Sequence, residues 1–134
     1  MYMLDTDVCI GVLRGTCAEA YRWFQLTTID DIALPALVEA ELRLGTKKKK
    51  NKRNQAVVEA FLDPFTIVPF DSSCARAYAA LRADLEEAGT PIGPNDMIIA
   101  ATALANNATL VTNNVREYKR VKGLKVVSVD MVDL

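Results

Sequence analysis

Between Met97 and Ala105 nearly every residue is apolar, so a helix here has no side to turn to water and must be packed inside the molecule. Gly93 and Pro94 break the preceding structure, Pro94 suits the run-in to a helix, and Asn95 or Asp96 is expected to accept from the unpaired N–H groups of the first turn. The polar start of this buried helix therefore stands at the edge of a core. A carboxylate there is, on its own, an ordinary cap. It gains weight from company, because Asp5 and Glu41 also fall at the boundaries of apolar elements, and three such acids can meet in one cleft.

Taken in order, Tyr2 to Leu4 reads as a short strand ending at Asp5. Asp5-Thr6-Asp7 then supplies capping residues for a helix through Leu13, stopped by Gly15. A second helix is expected over 18–26, with Tyr21, Phe24 and Leu26 packing and Trp23 half exposed. Residues 32–34 form the next strand, followed by a helix from Ala36 that Gly45 closes. Glu39 and Glu41, two apart, do not share a face of that helix. The run from Thr46 to Asn54 holds Lys47, Lys48, Lys49, Lys50, Lys52 and Arg53 and is expected to be an exposed, mobile connection. Helix resumes over 55–62, a strand covers 65–70, and a long helix capped by Asp71 and Ser72 runs to about Ala88. After the buried helix come a strand at 109–112, a polar turn or short helix at 113–119 and a strand at 125–129. Short apolar strands alternating with helices make this an α/β chain with a short parallel sheet flanked by helices on both faces. Ligand sites in such sheets form beyond the carboxyl ends of the strands, where Asp5, Glu41, Asn113 and Asn114 all fall.

The 134 residues suit one domain, 1–134, with a substantial core. The net charge of −1 means that a polyanionic substrate must be met by local basic patches and by metal. No apolar run approaches a membrane span, and the start reaches a charge too early for a signal peptide, so a cytoplasmic protein is expected. Cys9, Cys17 and Cys74 have neither zinc-site spacing nor disulfide density and read as buried thiols. The chain contains no histidine, which excludes histidine triads, imidazole acid–base pairs and imidazole zinc sites. Chemistry must rest on carboxylates, lysines, hydroxyls, thiols or a metal, and carboxylates favour hard cations such as Mg²⁺ or Mn²⁺.

Four stretches stand out: Met3-Leu4-Asp5-Thr6-Asp7-Val8-Cys9-Ile10, Ala40-Glu41-Leu42-Arg43-Leu44-Gly45, Pro91-Ile92-Gly93-Pro94-Asn95-Asp96 and Leu110-Val111-Thr112-Asn113-Asn114-Val115-Arg116-Glu117-Tyr118. Together they resemble the PIN-domain ribonucleases, in particular the VapC toxins of bacterial toxin–antitoxin pairs. They run in family order across nearly the whole chain. The resemblance implies a PIN-like fold in which Asp5, Glu41 and Asp96 are the acidic residues of a Mg²⁺ or Mn²⁺ site. The physical case agrees, because clustered carboxylates repel and rise in pKa unless a cation neutralises them. The implied activity is that of a metal-dependent endoribonuclease toxin hydrolysing RNA phosphodiesters, transfer RNA among them, with water as nucleophile and 3′-hydroxyl and 5′-phosphate products. Also implied are a homodimer and a small cognate VapB-like antitoxin inserting a segment across the acidic cleft, with DNA contacted only through that antitoxin. Asp7, Asn95, Thr112, Asn114 and Glu117 are the expected supporting residues, and the basic run is the expected RNA contact.

Two positions depart from the family pattern. Asp7 stands where relatives commonly have an amide, and Asn114 is neutral where many supply a fourth acid, with Glu117 expected to compensate through water. These departures mean either charge redistributed within the site or an impaired module that binds RNA or a protein partner. A third reading is a haloacid dehalogenase-type phosphohydrolase, since Asp5-Thr6-Asp7 after a strand imitates its Asp-x-Asp signature, with Asp5 as covalent nucleophile. Plainer roles stand beside each assignment. Asp5, Asp7 and Asn95 can be caps, Glu41 a solvated helix residue, Thr112 a turn residue, and the lysine run a solubilising segment.

Overall fold

The computed structural model describes residues 1–129. Five parallel strands, β1 (Tyr2–Leu4), β2 (Ile32–Pro35), β3 (Thr66–Val68), β4 (Thr109–Val111) and β5 (Lys125–Val127), lie in the order β3-β2-β1-β4-β5. Neighbouring residues on a strand point to opposite faces, and Met3 with Leu4, Ala33 with Leu34, and Leu110 with Val111 are all buried. Both faces of the central strands are therefore covered, as the continuous apolar character of these segments requires.

The covering helices are α1 (Thr6–Arg14), α2 (Ala18–Leu26), α3 (Ala36–Lys49), α4 (Lys52–Leu62), α5 (Ser72–Glu87), α6 (Pro94–Ala105) and the single turn α7 (Val115–Tyr118). From Met97 to Ala105 α6 has no exposed residue and packs on α5, α3, β2 and β4. Asp5 caps α1, its carboxylate accepting from the Val8 N–H at 3.0 Å, while Gly15 closes the helix in the left-handed region at φ 62°. The β1–β4 and β4–β5 ladders each continue past the strand ends, with the Asp5 N–H bonded to the Val111 carbonyl and the Thr112 N–H to that of Val127. Asp5 and Thr112 are thus held side by side at the carboxyl edge of the sheet.

The local expectations fail in several places. Gly45 does not end α3: the helix continues through Thr46 to Lys49, and the left-handed residue that closes it is Lys50 at φ 50°. Lysine is a good helix former, and three lysines in the last turn complement the helix dipole, so most of the basic run is helical rather than a mobile connection. Asn51 then caps α4, which starts at Lys52, accepting from the N–H groups of Arg53 and Asn54. In α2 the burial is reversed from the expected pattern: Trp23 is fully buried, edge-on to Tyr2, whereas Tyr21 and Leu26 are 46% and 62% exposed. Neither Asn95 nor Asp96 caps α6, because the helix starts at Pro94 and Gly93, with no side chain to offer, is the cap position. Cys9 and Cys74 are buried, but Cys17 is half-buried. The third and fifth strands are shorter than expected, and the expected domain end at Leu134 lies outside the described residues.

Candidate active site

Asp5 is 4% exposed and uses both carboxylate oxygens: Oδ1 accepts from Val8 N–H and Oδ2 from the Thr112 hydroxyl. Thr112 Oγ in turn accepts from the Asn114 N–H at 2.9 Å, which fixes the hydroxyl proton towards Asp5. Burial pushes the Asp5 carboxyl up to about 6 against the pull of these two bonds, and the charges of Asp7 and Asp96 push it further.

Glu41 comes from α3, where Val38 and Leu42 face the core. Its Oε1 accepts from the Thr6 hydroxyl at 2.8 Å, joining α3 to the first turn of α1. Glu39 points elsewhere and pairs with Arg43, which also pairs with Glu59. The two glutamates separate as their spacing predicts.

Asp96 lies in the first turn of α6, and its Oδ1 accepts from the Tyr118 hydroxyl at 3.0 Å. Its Oδ2 lies over Gly93, so close that a Cβ on that residue would stand 3.3 Å from it. Burial raises the Asp96 carboxyl, the Tyr118 bond opposes this, and the charges of Glu117, Glu41 and Asp7 add to the rise. Tyr118 itself is buried at 1% exposure, and its hydroxyl is held well above the usual tyrosine range by burial and then by Asp96, Asp5 and Glu41. One buried hydroxyl thus feels the charge of all three predicted acids.

The supporting residues divide. Asp7 is exposed at the rim, within electrostatic reach of Asp5 and Asp96. Asn114 donates its side-chain amide to Glu117 Oε2 at 2.9 Å, and Glu117 raises Asp96, so the neutral Asn114 is joined directly to an acid of the cleft. Asn95 is exposed and makes no side-chain hydrogen bond among the described residues. Of the basic run, Lys49 lines a 170 Å³ cavity between α1, α3 and α4 that it shares with Glu41, Arg14, Ile10 and Leu13. Lys47, Lys48, Lys50, Lys52 and Arg53 are exposed around the α3–α4 junction.

Thr6 and Tyr118 went unassigned in the sequence. Thr6 reads only as part of a cap. For Tyr118 the one available signal is its spacing of three from Val115, the mark of a buried face on a short helix.

The donor chemistry fits a hard dication. All donors are oxygens, Glu41 Oε2 and Asp96 Oδ2 accept no hydrogen bond among the described residues, and no Lys or Arg there pairs with Asp5, Asp7, Glu41, Asp96 or Glu117. As placed, no three Asp, Glu, Cys or His side chains among the described residues are close enough to enclose an ion. Each of the three carboxylates is instead held by a protein hydroxyl: Asp5 by Thr112, Glu41 by Thr6 and Asp96 by Tyr118.

The fold is that of a PIN domain, the family that the chain matches over residues 2–124. It is 40% identical to ribonuclease VapC2 of Rickettsia felis, over 92% of this chain and 94% of that one, and 33% identical to the tRNA(fMet)-specific endonuclease VapC of Salmonella typhimurium, over 93% and 95%. Among solved structures, it superposes on VapBC2 of Rickettsia felis bound to a DNA fragment from their promoter with a TM-score of 0.86 at 38% identity, covering 95% of this chain and 97% of that one. DNA-bound VapBC of Salmonella typhimurium gives a TM-score of 0.88 at 32% identity, over 96% and 97%. The chain belongs to the PIN-domain family, in its VapC branch. This membership displaces the phosphohydrolase reading of Asp5-Thr6-Asp7.

Proposed function

We propose that this chain, one PIN domain over residues 1–134, is a VapC-type endoribonuclease toxin that hydrolyses RNA with a divalent cation, Mg²⁺ or Mn²⁺, held by Asp5, Glu41 and Asp96. The observation that carries the reading is that Asp5 at the end of β1, Glu41 on α3 and Asp96 on α6 all act through their charge on the one buried Tyr118 hydroxyl, that the Asp5 and Asp96 carboxyls are themselves raised, and that none of the three pairs with a Lys or Arg among the described residues. A bound dication supplies water of lowered pKa and neutralises charge growing on the phosphate.

The protein's own groups orient the acids. Thr112 and the Val8 N–H hold Asp5, Thr6 holds Glu41, and Tyr118 holds Asp96, so little carboxylate freedom remains to be lost on binding. Glu117, bonded to Asn114, supplies the fourth negative charge that Asn114 lacks, and Asp7 adds one at the rim. Asn95, exposed at the start of α6, is the residue assigned to hold a water beside the scissile phosphate, while Thr112, buried and bonded to Asp5 and to the Asn114 N–H, supports the site through Asp5. Lys49 on α3 and Arg14 on α1, sharing a cavity with Glu41, are the nearest part of a basic surface, continued on α3 and α4, that meets RNA phosphates.

Relatives named as tRNA(fMet)-specific endonucleases support transfer RNA as the substrate class, and those solved as VapBC complexes support a cognate VapB-like antitoxin. A homodimer acting in the cytoplasm, touching DNA only through the antitoxin, completes the reading. Purified protein incubated with transfer RNA and Mn²⁺ should release fragments with 5′-phosphate and 3′-hydroxyl ends. Chelator, Asp5→Asn or Asp96→Asn should abolish them. RNA binding with no chelator-sensitive cleavage would select the impaired module instead, and light scattering that finds only monomer would remove the dimer.

A further inference from the structure

Tyr118, like Thr6, is a group that the sequence left without a role and that the structure joins to one of the predicted acids. Among the described residues its hydroxyl is the sole hydrogen-bond partner of the Asp96 side chain, and the cap position of α6, Gly93, contributes no side-chain bond. Without Tyr118 the Asp96 carboxylate is free to turn about its own bonds. The Tyr118 ring cannot follow, being fully buried.

The backbone around Tyr118 makes this constraint longer in reach. Its N–H is bonded to the Asn114 carbonyl, the Asn114 N–H to Thr112 Oγ, and the Thr112 hydroxyl to Asp5. Two residues beyond, the Arg120 guanidinium donates to the Pro91 carbonyl at 3.1 Å, in the loop that leads into α6. The segment from Thr112 to Arg120 therefore grips Asp5 and, in a distant part of the chain, both Asp96 and the loop that leads to it.

We infer that Tyr118 is a positioning residue: its hydroxyl takes up Asp96 Oδ1 and so presents Oδ2, over the bare face of Gly93, as the oxygen that a divalent cation receives from α6. The inference rests on the reading of Asp96 as an acid of the metal site. A buried tyrosine also seeks a hydrogen bond for its own sake, and that plainer role predicts a stability effect with no change in ion affinity.

The test uses the full-length chain and Tyr118→Phe, which keeps the packed ring. Mn²⁺ affinity, measured by electron paramagnetic resonance, should weaken about tenfold, as for loss of an outer partner of a metal ligand. The kcat for RNA should fall with KM unchanged, and the carboxyl-carbon NMR resonance of Asp96 in the metal-free protein at alkaline pH should move. Gly93→Ala approaches the same carboxylate from its other oxygen, where the added methyl crowds Oδ2, and should weaken Mn²⁺ with Tyr118 intact; it also decides the matter should Tyr118→Phe fail to fold. Unchanged Mn²⁺ affinity in either folded variant overturns the inference, as does an unmoved Asp96 resonance in Tyr118→Phe. If the wild-type chain binds no Mn²⁺, the metal reading of the cleft falls, and the Asp96 resonance alone then decides for or against Tyr118.

Discussion

Asp5 is charged at neutral pH in a place that disfavours charge, and Asp5→Asn should expose the cost. Folding moves its carboxyl from an ordinary 3.8 to about 6, roughly two units at about 1.4 kcal/mol each, or about 3 kcal/mol in total. The folded state holds the proton more tightly than the unfolded one. Its stabilising effect is therefore complete below about pH 4, is lost as pH rises through about 6, and stays lost above. Asparagine keeps the acceptor for the Val8 N–H and can donate to Thr112 Oγ, so the variant retains the geometry without the charge. In chelator at neutral pH it should be more stable than wild type by about 1–3 kcal/mol, the lower figure allowing for the weaker bond to Thr112. Urea denaturation followed by the fluorescence of the buried Trp23, repeated across pH, measures this directly. The wild type should lose stability between about pH 4 and about pH 6, and the variant should lose less. Saturating Mg²⁺ should stabilise wild type alone, because the ion binds only the folded, charged site. A variant less stable than wild type at neutral pH, together with a wild-type curve that does not fall across that interval, would refute the reasoning.

Thr112→Val removes the hydroxyl from Asp5 and the acceptor from the Asn114 N–H, so it should cost about 1–3 kcal/mol in the same denaturation assay. Because the Thr112 bond pulls the Asp5 carboxyl down, the pH interval of declining stability should also move to higher pH. Asn51→Ala should cost about 1 kcal/mol by loss of the α4 cap, read from the urea midpoint, and leave Mn²⁺ binding unchanged. Replacing Lys47, Lys48 and Lys49 by Glu should weaken RNA binding and flatten its salt dependence by about one unit of slope per lost phosphate contact, measured by fluorescence anisotropy in chelator. An unaltered salt slope would remove this run from the RNA surface.

Much of the architecture was legible because it is written in short-range chemistry. The almost wholly apolar run of α6, the strand-to-helix step at Asp5 and the Asp71 cap of α5 depend on neighbours within a few residues, and each stands in the fold as the pattern requires. The resemblance added the partners of Asp5, namely Glu41 and Asp96, which no local pattern joins. Where local chemistry was ambiguous the reading failed. Gly45 is able to end a helix, but the chain turned into the left-handed region only at Lys50, once the lysines had extended α3 over α4. Trp23 and Tyr21 are two apart on α2, and which of them enters the core is set by where Tyr2 lies, not by either residue. The sequence by itself determined the alternation of strands and helices and the absence of imidazole chemistry, and it nominated the three acids. Tertiary structure alone decided that each acid has a hydroxyl: Thr112 reaches Asp5 across 107 residues, Thr6 reaches Glu41 across 35, and Tyr118 reaches Asp96 across 22. Hydrogen bonds act over about 3 Å, and separations of that length between remote residues exist only after the sheet has set its strand order.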